Sequence, residues 1–69
     1  MIENYIVVAY RYGDGDGYLV GWDNDLEKAK SLADEEWESR GCMKYSGVVF
    51  ALTSSENKNE FTEVYRKGM

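Results

Sequence analysis

The glycine- and aspartate-rich segment at residues 13–17 comes nearest to a recognisable chemistry, because it resembles part of a calcium-binding loop. Such loops follow the pattern D-x-[DN]-x-[DN]-G and supply oxygen ligands at fixed positions. With Gly17 at the obligatory glycine, Asp14 and Asp16 occupy the third and fifth positions. The first, ninth and twelfth positions then fall on Tyr12, Val20 and Asp23. Two ligands are therefore missing and a third is too short, so calcium binding is a remote alternative and we expect no metal site.

The same segment is typical of a β-hairpin turn. Glycine adopts positive φ without steric cost, and Asp-Gly is a strong signal for a tight turn between strands. Residues 5–12 and 18–22 are rich in β-branched and aromatic side chains, which favour strands. The sequence therefore predicts that residues 13–17 join two antiparallel strands.

Catalysis lacks the residues it commonly needs. The chain has no histidine and one cysteine, Cys42, so a thiol nucleophile has no imidazole base and an internal disulfide is excluded. The glycine run is not followed by the lysine and helix start of a phosphate-binding loop. We predict no catalytic residues, no cofactor and no enzymatic activity, and the single cysteine favours a reducing, cytoplasmic setting.

Size and charge restrict the class of partner. The chain of 69 residues is short enough for a single domain spanning residues 1–69. Thirteen acidic and eight basic residues give a net charge of −5, which argues against direct binding to nucleic acid or to anionic lipid. The first residues lack a signal-peptide pattern and no apolar run is long enough to span a membrane. We expect a cytoplasmic protein whose partner has a basic surface.

A helix and two further strands follow the first hairpin. The helix is predicted over residues 25–40, with Gly41 as the C-cap. Asp23, Asn24 and Asp25 are candidate N-caps, and Asn24 with Glu27 resembles a capping box. Strands are predicted at 44–52 and 61–67, separated by a polar loop at 53–60. We predict an α+β fold of order ββαββ: a four-stranded antiparallel sheet, order 2-1-3-4, with one helix packed on one face. The apolar helical positions at a period of 3.6 residues are Leu26, Ala29, Ala33 and Trp37.

One helix leaves the other face of the sheet uncovered, although the two central strands are apolar on both faces. We expect the helix to lie on the side of Ile6, Val8 and Phe50. An uncovered face rich in tyrosine and arginine is typical of a protein interface, and a homodimer through it is the alternative to a foreign partner. The predicted partner-binding residues on this face are Tyr5, Arg11, Tyr45 and Tyr65.

The helix offers a second surface for a partner. Its acidic side chains are predicted to project away from the sheet, where carboxylates would complement the basic groove of a nucleic-acid-handling protein. The alternative is an ordinary solvated helix face. The residues of this acidic helix face are Glu27, Asp34, Glu35 and Glu38.

Several segments resemble short proteins encoded by bacteriophages and prophages. These are residues 5–13, the run Tyr18-Leu19-Val20-Gly21, and residues 36–41 leading to Lys44-Tyr45. The resemblance implies a viral accessory protein that acts in the bacterial cytoplasm. It further implies an inhibitor or modulator that binds a host protein, as anti-CRISPR proteins do.

Overall fold

The computed structural model describes residues 2–13, 15–40, 44–56 and 58–68. Five elements follow one another in the order ββαββ. Their bounds are β1 Ile2–Arg11, β2 Gly17–Asp23, α1 Leu26–Ser39, β3 Tyr45–Ser55 and β4 Lys58–Lys67.

The strands form one antiparallel sheet in the order β2-β1-β3-β4. The predicted fold class and strand order are therefore confirmed. Because β1 and β3 are central, their backbone groups pair on both sides, and β2 and β4 form the two edges.

The polar loop predicted at residues 53–60 is wrong. Thr53 pairs with Glu60, Ser54 with Asn59 and Ser55 with Lys58, so β3 and β4 continue almost to their turn. The Ser54 side chain also donates to the amide oxygen of Asn59 at 2.9 Å. Cross-strand pairing thus outweighs the weak strand propensity of these polar residues.

The first hairpin turns where the sequence predicts it. Gly13 and Gly15 have φ values of 88° and 75°, which side chains other than glycine rarely adopt. The Arg11 amide donates to the Asp16 carbonyl at 2.7 Å and closes the turn. Asp14, a ligand in the calcium interpretation, lies outside the described residues.

The helix begins at Leu26, one residue later than predicted. Of the three candidate N-caps, Asp25 is the one that caps the helix, and its side chain accepts from the Glu27 amide at 2.9 Å. Near the end of the helix, Glu36 and Arg40 lie four residues apart and form an ion pair, with 3.2 Å between Oε2 and Nε. The predicted C-cap Gly41 and the single cysteine Cys42 lie outside the described residues.

The helix packs on the face opposite to the one predicted. Its buried residues Ala29 and Ala33 form the core with Val7 of β1 and Val49 of β3. On this side the central strands carry small residues such as Gly47, which let the helix backbone come close. Larger side chains on the other side, such as Ile6 and Phe50, would hold the helix further away. The predicted position of the helix on that side is therefore wrong.

Candidate protein interaction surface

The uncovered face of the sheet is apolar across all four strands. The register places Ile6 beside Trp22 of β2 and Phe50 of β3, and Val8 beside Leu19 of β2. Paired residues of antiparallel strands project to the same side, so these side chains form one surface. We call this surface the open face and define it by Ile6, Val8, Tyr10, Leu19, Trp22, Phe50, Leu52 and Phe61.

The outer strands carry the most exposed side chains of the open face. The exposed fractions are 61% for Trp22, 60% for Phe61 and 56% for Leu19. At the centre, the rings of Tyr10 and Phe50 meet edge to face at 6.3 Å. A shallow depression of about 390 Å³ lies among the central side chains and Phe61. Large aromatic groups beside such a depression are the usual anchors of protein interfaces.

One ion pair forms the polar rim of the open face. Arg66 of β4 binds both carboxylate oxygens of Glu63, with the shorter contact at 2.8 Å. The Arg66 guanidinium lowers the pKa of Glu63, and the hydrogen bonds that Arg66 donates to Glu63 raise the pKa of Arg66. The two charges thus compensate each other locally, and the centre of the open face remains apolar.

A cleft of about 560 Å³ continues from the open face at the first hairpin. Arg11, Tyr12 and Arg66 contribute polar groups to its walls, beside the rings of Tyr10 and Phe50. The Ser46 hydroxyl oxygen is buried and has no hydrogen-bond partner within the described part of the chain. The cleft thus combines polar side chains with aromatic rings at the rim of the apolar surface.

The tyrosines predicted to lie on the uncovered face lie on the helix side instead. Tyr5 and Tyr65 pack against the core under the helix. The Tyr65 hydroxyl donates to Asp34 Oδ1 at 2.7 Å, and this hydrogen bond raises the pKa of Tyr65. Tyr45 contacts the Tyr18 ring edge to face at 5.9 Å. The predicted grouping on the open face is therefore wrong for these three residues.

Arg11, the fourth residue predicted on that face, is exposed at the end of β1. It pairs in register with Tyr45 and therefore projects to the helix side, although its place at the strand end also lets it line the cleft. The predicted place of Arg11 on the uncovered face is thus wrong as well, because the register keeps it on the same side as Tyr45.

A bulge between β3 and β4 explains part of the wrong grouping. Tyr65 lies opposite Val49, but Glu63 lies opposite Phe50, so Val64 is an extra residue. Strict alternation places Glu63 and Tyr65 on the same face, whereas the extra residue puts them on opposite faces.

The acidic helix face is only partly as predicted. Glu27, Glu35 and Glu38 are exposed, and Glu27 pairs with Lys30 at 3.4 Å. Asp34 instead points to the sheet and accepts the Tyr65 hydrogen bond. Its predicted orientation away from the sheet is wrong, because the tyrosine hydroxyl offers a partner at the helix–sheet junction.

A second polar cluster joins the helix to the first hairpin. The Tyr18 hydroxyl donates to Glu36 Oε2. The Arg40 side chain donates to the same hydroxyl at 3.1 Å. Burial and the Glu36 carboxylate raise the pKa of Tyr18. These groups satisfy one another, so the cluster is suited to hold β2 against the helix rather than to act on a substrate.

The residues that sequence reasoning missed are the exposed Leu19, Trp22 and Phe61. A usable signal was present in the small residues of the central strands. Ala9, Gly47 and Ala51 share one face, and small side chains on a sheet face favour close helix packing. That pattern would have indicated that the larger side chains belong to the open face.

No group of three or more acidic, cysteine or histidine residues that could hold a metal ion occurs among the residues with described positions. Within those same ranges, no helix combines the length and apolarity needed to cross a lipid bilayer.

Comparison with protein-family models, with curated proteins and with solved structures gives no match for this chain. The resemblance to phage-encoded proteins therefore stays a prediction, and the geometry of the open face carries the functional interpretation.

Proposed function

We propose that this chain is a non-catalytic protein-binding module that uses the open face of its sheet. The observation that carries the proposal is the exposure of Trp22, Phe61 and Leu19 on one continuous surface. Burial against a partner would stabilise the complex by about 1.5–3 kcal/mol for each large apolar side chain that is fully removed from water.

The arrangement has the composition of a binding surface. Aromatic side chains are enriched at interface cores, whereas unpaired charges are depleted there. The open face follows this distribution, with Tyr10, Trp22, Phe50 and Phe61 as aromatic members and the paired Glu63 and Arg66 at the rim. A folded protein surface is the partner class that matches a broad, shallow apolar area.

The biological setting of the proposal comes from the phage resemblance and the net charge of −5. Together they favour an accessory protein that inhibits or modulates a host protein in the bacterial cytoplasm. The exposed Glu27, Glu35 and Glu38 would add complementarity to a basic partner surface.

Site-specific photo-crosslinking tests the proposal. A benzophenone amino acid replaces Phe61 on the open face, and a matched chain carries it at Ser31, an exposed residue of the helix. Irradiation in bacterial lysate is expected to attach a second polypeptide at position 61 and not at position 31. Adding Trp22→Glu should abolish the product at position 61. Equal labelling at both positions, or none at position 61, would refute the proposal.

A further inference from the structure

We propose that the occupant of the open face is a second copy of this chain, packed face to face. The two sheets would form the inner layers of a homodimer, with one helix on each outer side. This inference rests on the proposed function, because it names the partner of the same surface, and it leaves the exposed helix carboxylates Glu27, Glu35 and Glu38 as the surface for a host protein.

The distribution of charge favours this occupant. Each chain carries a net charge of −5, so two copies repel each other unless their acidic surfaces are kept apart. The exposed helix carboxylates, such as Glu35 and Glu38, lie on the side away from the open face. Among the described side chains that the strand register places on the open face, only Glu63 and Arg66 are charged, and they form a pair. Face-to-face packing therefore joins the two copies through their least charged surfaces.

The area of the face is sufficient for a stable dimer. Strands of 10, 7, 11 and 10 residues that lie about 4.8 Å apart, with a rise of ~3.4 Å per residue, span roughly 600 Å² in projection. The accessible surface is larger than this flat projection, because side chains project from the sheet. Standard interfaces bury about 800 Å² of accessible surface on each partner. The open face alone is thus of the right size.

The edges of the sheet are less suited to self-association. The β2 edge is irregular, because Val20 is an extra residue between the pairs of Val7 with Gly21 and Val8 with Leu19. The β4 edge carries Lys58, Glu60 and Lys67, in addition to its own bulge. Bulges and charged residues are the features by which edge strands resist pairing with another chain.

The core of the single chain is small, so dimer formation would stabilise the fold. In the part of the chain with described burial, the buried apolar side chains are valines and alanines, such as Val7, Ala29 and Val49. A domain of this length buries only about 60% of its unfolded surface, so burial of the open face would add substantially to its stability. Folding would then be coupled to association, and the melting temperature would rise with protein concentration.

Sedimentation equilibrium of the unmodified chain over a range of concentrations tests the inference. The expected mass rises from 7.9 kDa towards twice that value. Trp22→Glu and Phe61→Glu should each raise the dissociation constant at least ~30-fold, as expected for an interface anchor. Ser31→Glu on the exposed helix surface is the matched control with the same added charge and should leave the constant within about twofold.

A second measurement does not depend on a variant. A mixture of differently isotope-labelled copies should show intermolecular contacts between the Trp22 or Phe61 ring and the methyl groups of Ile6 or Val8.

The outcomes separate this inference from the proposed function. A chain that stays monomeric while position 61 crosslinks to a different protein overturns the dimer and leaves the protein-binding module in place. A dimer that persists in both glutamate variants and lacks the intermolecular contacts overturns the face-to-face arrangement. Absence of both self-association and crosslinking at position 61 refutes the two proposals together.

Discussion

Gly47 of β3 lies directly beneath Ala33 of the helix, so that a Cβ atom on Gly47 would be 2.9 Å from the Ala33 carbonyl carbon. The helix backbone thus rests on the backbone of a central strand. Such an approach is available only on the face where the central strands carry small residues. This contact therefore explains which face the helix covers and which face remains open.

Replacing Gly47 with alanine should destabilise the fold. The added methyl group would meet helix backbone atoms that cannot rotate away, and overpacking of this kind costs about 1–3 kcal/mol. The free energy of unfolding from urea titration measures the effect. Gly21→Ala is the control, because a Cβ there would meet only Leu32 Cδ1 at an ordinary 3.6 Å. Equal stability of the two variants would contradict the close helix contact.

The hydrogen bond from Tyr65 to Asp34 should stabilise the junction between β4 and the helix. Tyr65→Phe removes the donor and should lower the free energy of unfolding by about 1–2 kcal/mol at neutral pH. Asp34→Asn keeps an acceptor oxygen and should lower the free energy of unfolding by less than Tyr65→Phe does. Urea titration of both variants measures the two losses of stability. A larger loss in Asp34→Asn than in Tyr65→Phe would contradict the assigned hydrogen bond.

Stability should decline in alkali through Tyr65 and Tyr18. Both tyrosines have a pKa raised above the usual 10.0, Tyr65 mainly by its hydrogen bond to Asp34 and Tyr18 mainly by burial. Above pH 10 the unfolded chain releases these protons while the folded chain retains them. The contribution is therefore fully present below pH 10 and is lost as the pH rises through the folded pKa values.

Urea titrations between about pH 9 and pH 11.5 measure how steeply the free energy of unfolding declines with pH. The lysines contribute equally to every chain compared. Tyr65→Phe and Tyr18→Phe should each show a shallower decline than the unmodified chain. An unchanged slope in both variants would contradict the raised pKa values.

Trp22 should report on the open face by fluorescence. In a Trp37→Phe chain, Trp22 is the single tryptophan, and it is 61% exposed in one isolated copy. Burial against a second copy should shift its emission to shorter wavelength and reduce quenching by acrylamide as concentration rises. Adding Phe61→Glu should keep the emission at the longer wavelength of a solvent-exposed tryptophan at every concentration. A spectrum independent of concentration would argue against self-association.

Local sequence signals predicted the elements and their order. The glycine turn, the helix stripe containing Ala29 and Ala33, and the apolar central strands each arise from interactions between near neighbours along the chain. They led to the ββαββ order and to the antiparallel sheet, both of which are confirmed. The loop predicted at residues 53–60 was wrong, because strand pairing in this segment is decided by the partner strand and not by its own residue types.

The face on which the helix packs was decided only by tertiary structure. Both faces of β1 and β3 are apolar, so hydrophobicity alone does not distinguish them, whereas the close fit of Ala33 on Gly47 does. The extra residues Val20 and Val64 then shift the alternation of the edge strands. By itself the sequence determined a sheet with one uncovered apolar face. Helix packing and the two bulges decided that Trp22 and Phe61, and not Tyr5, Tyr45 and Tyr65, occupy it.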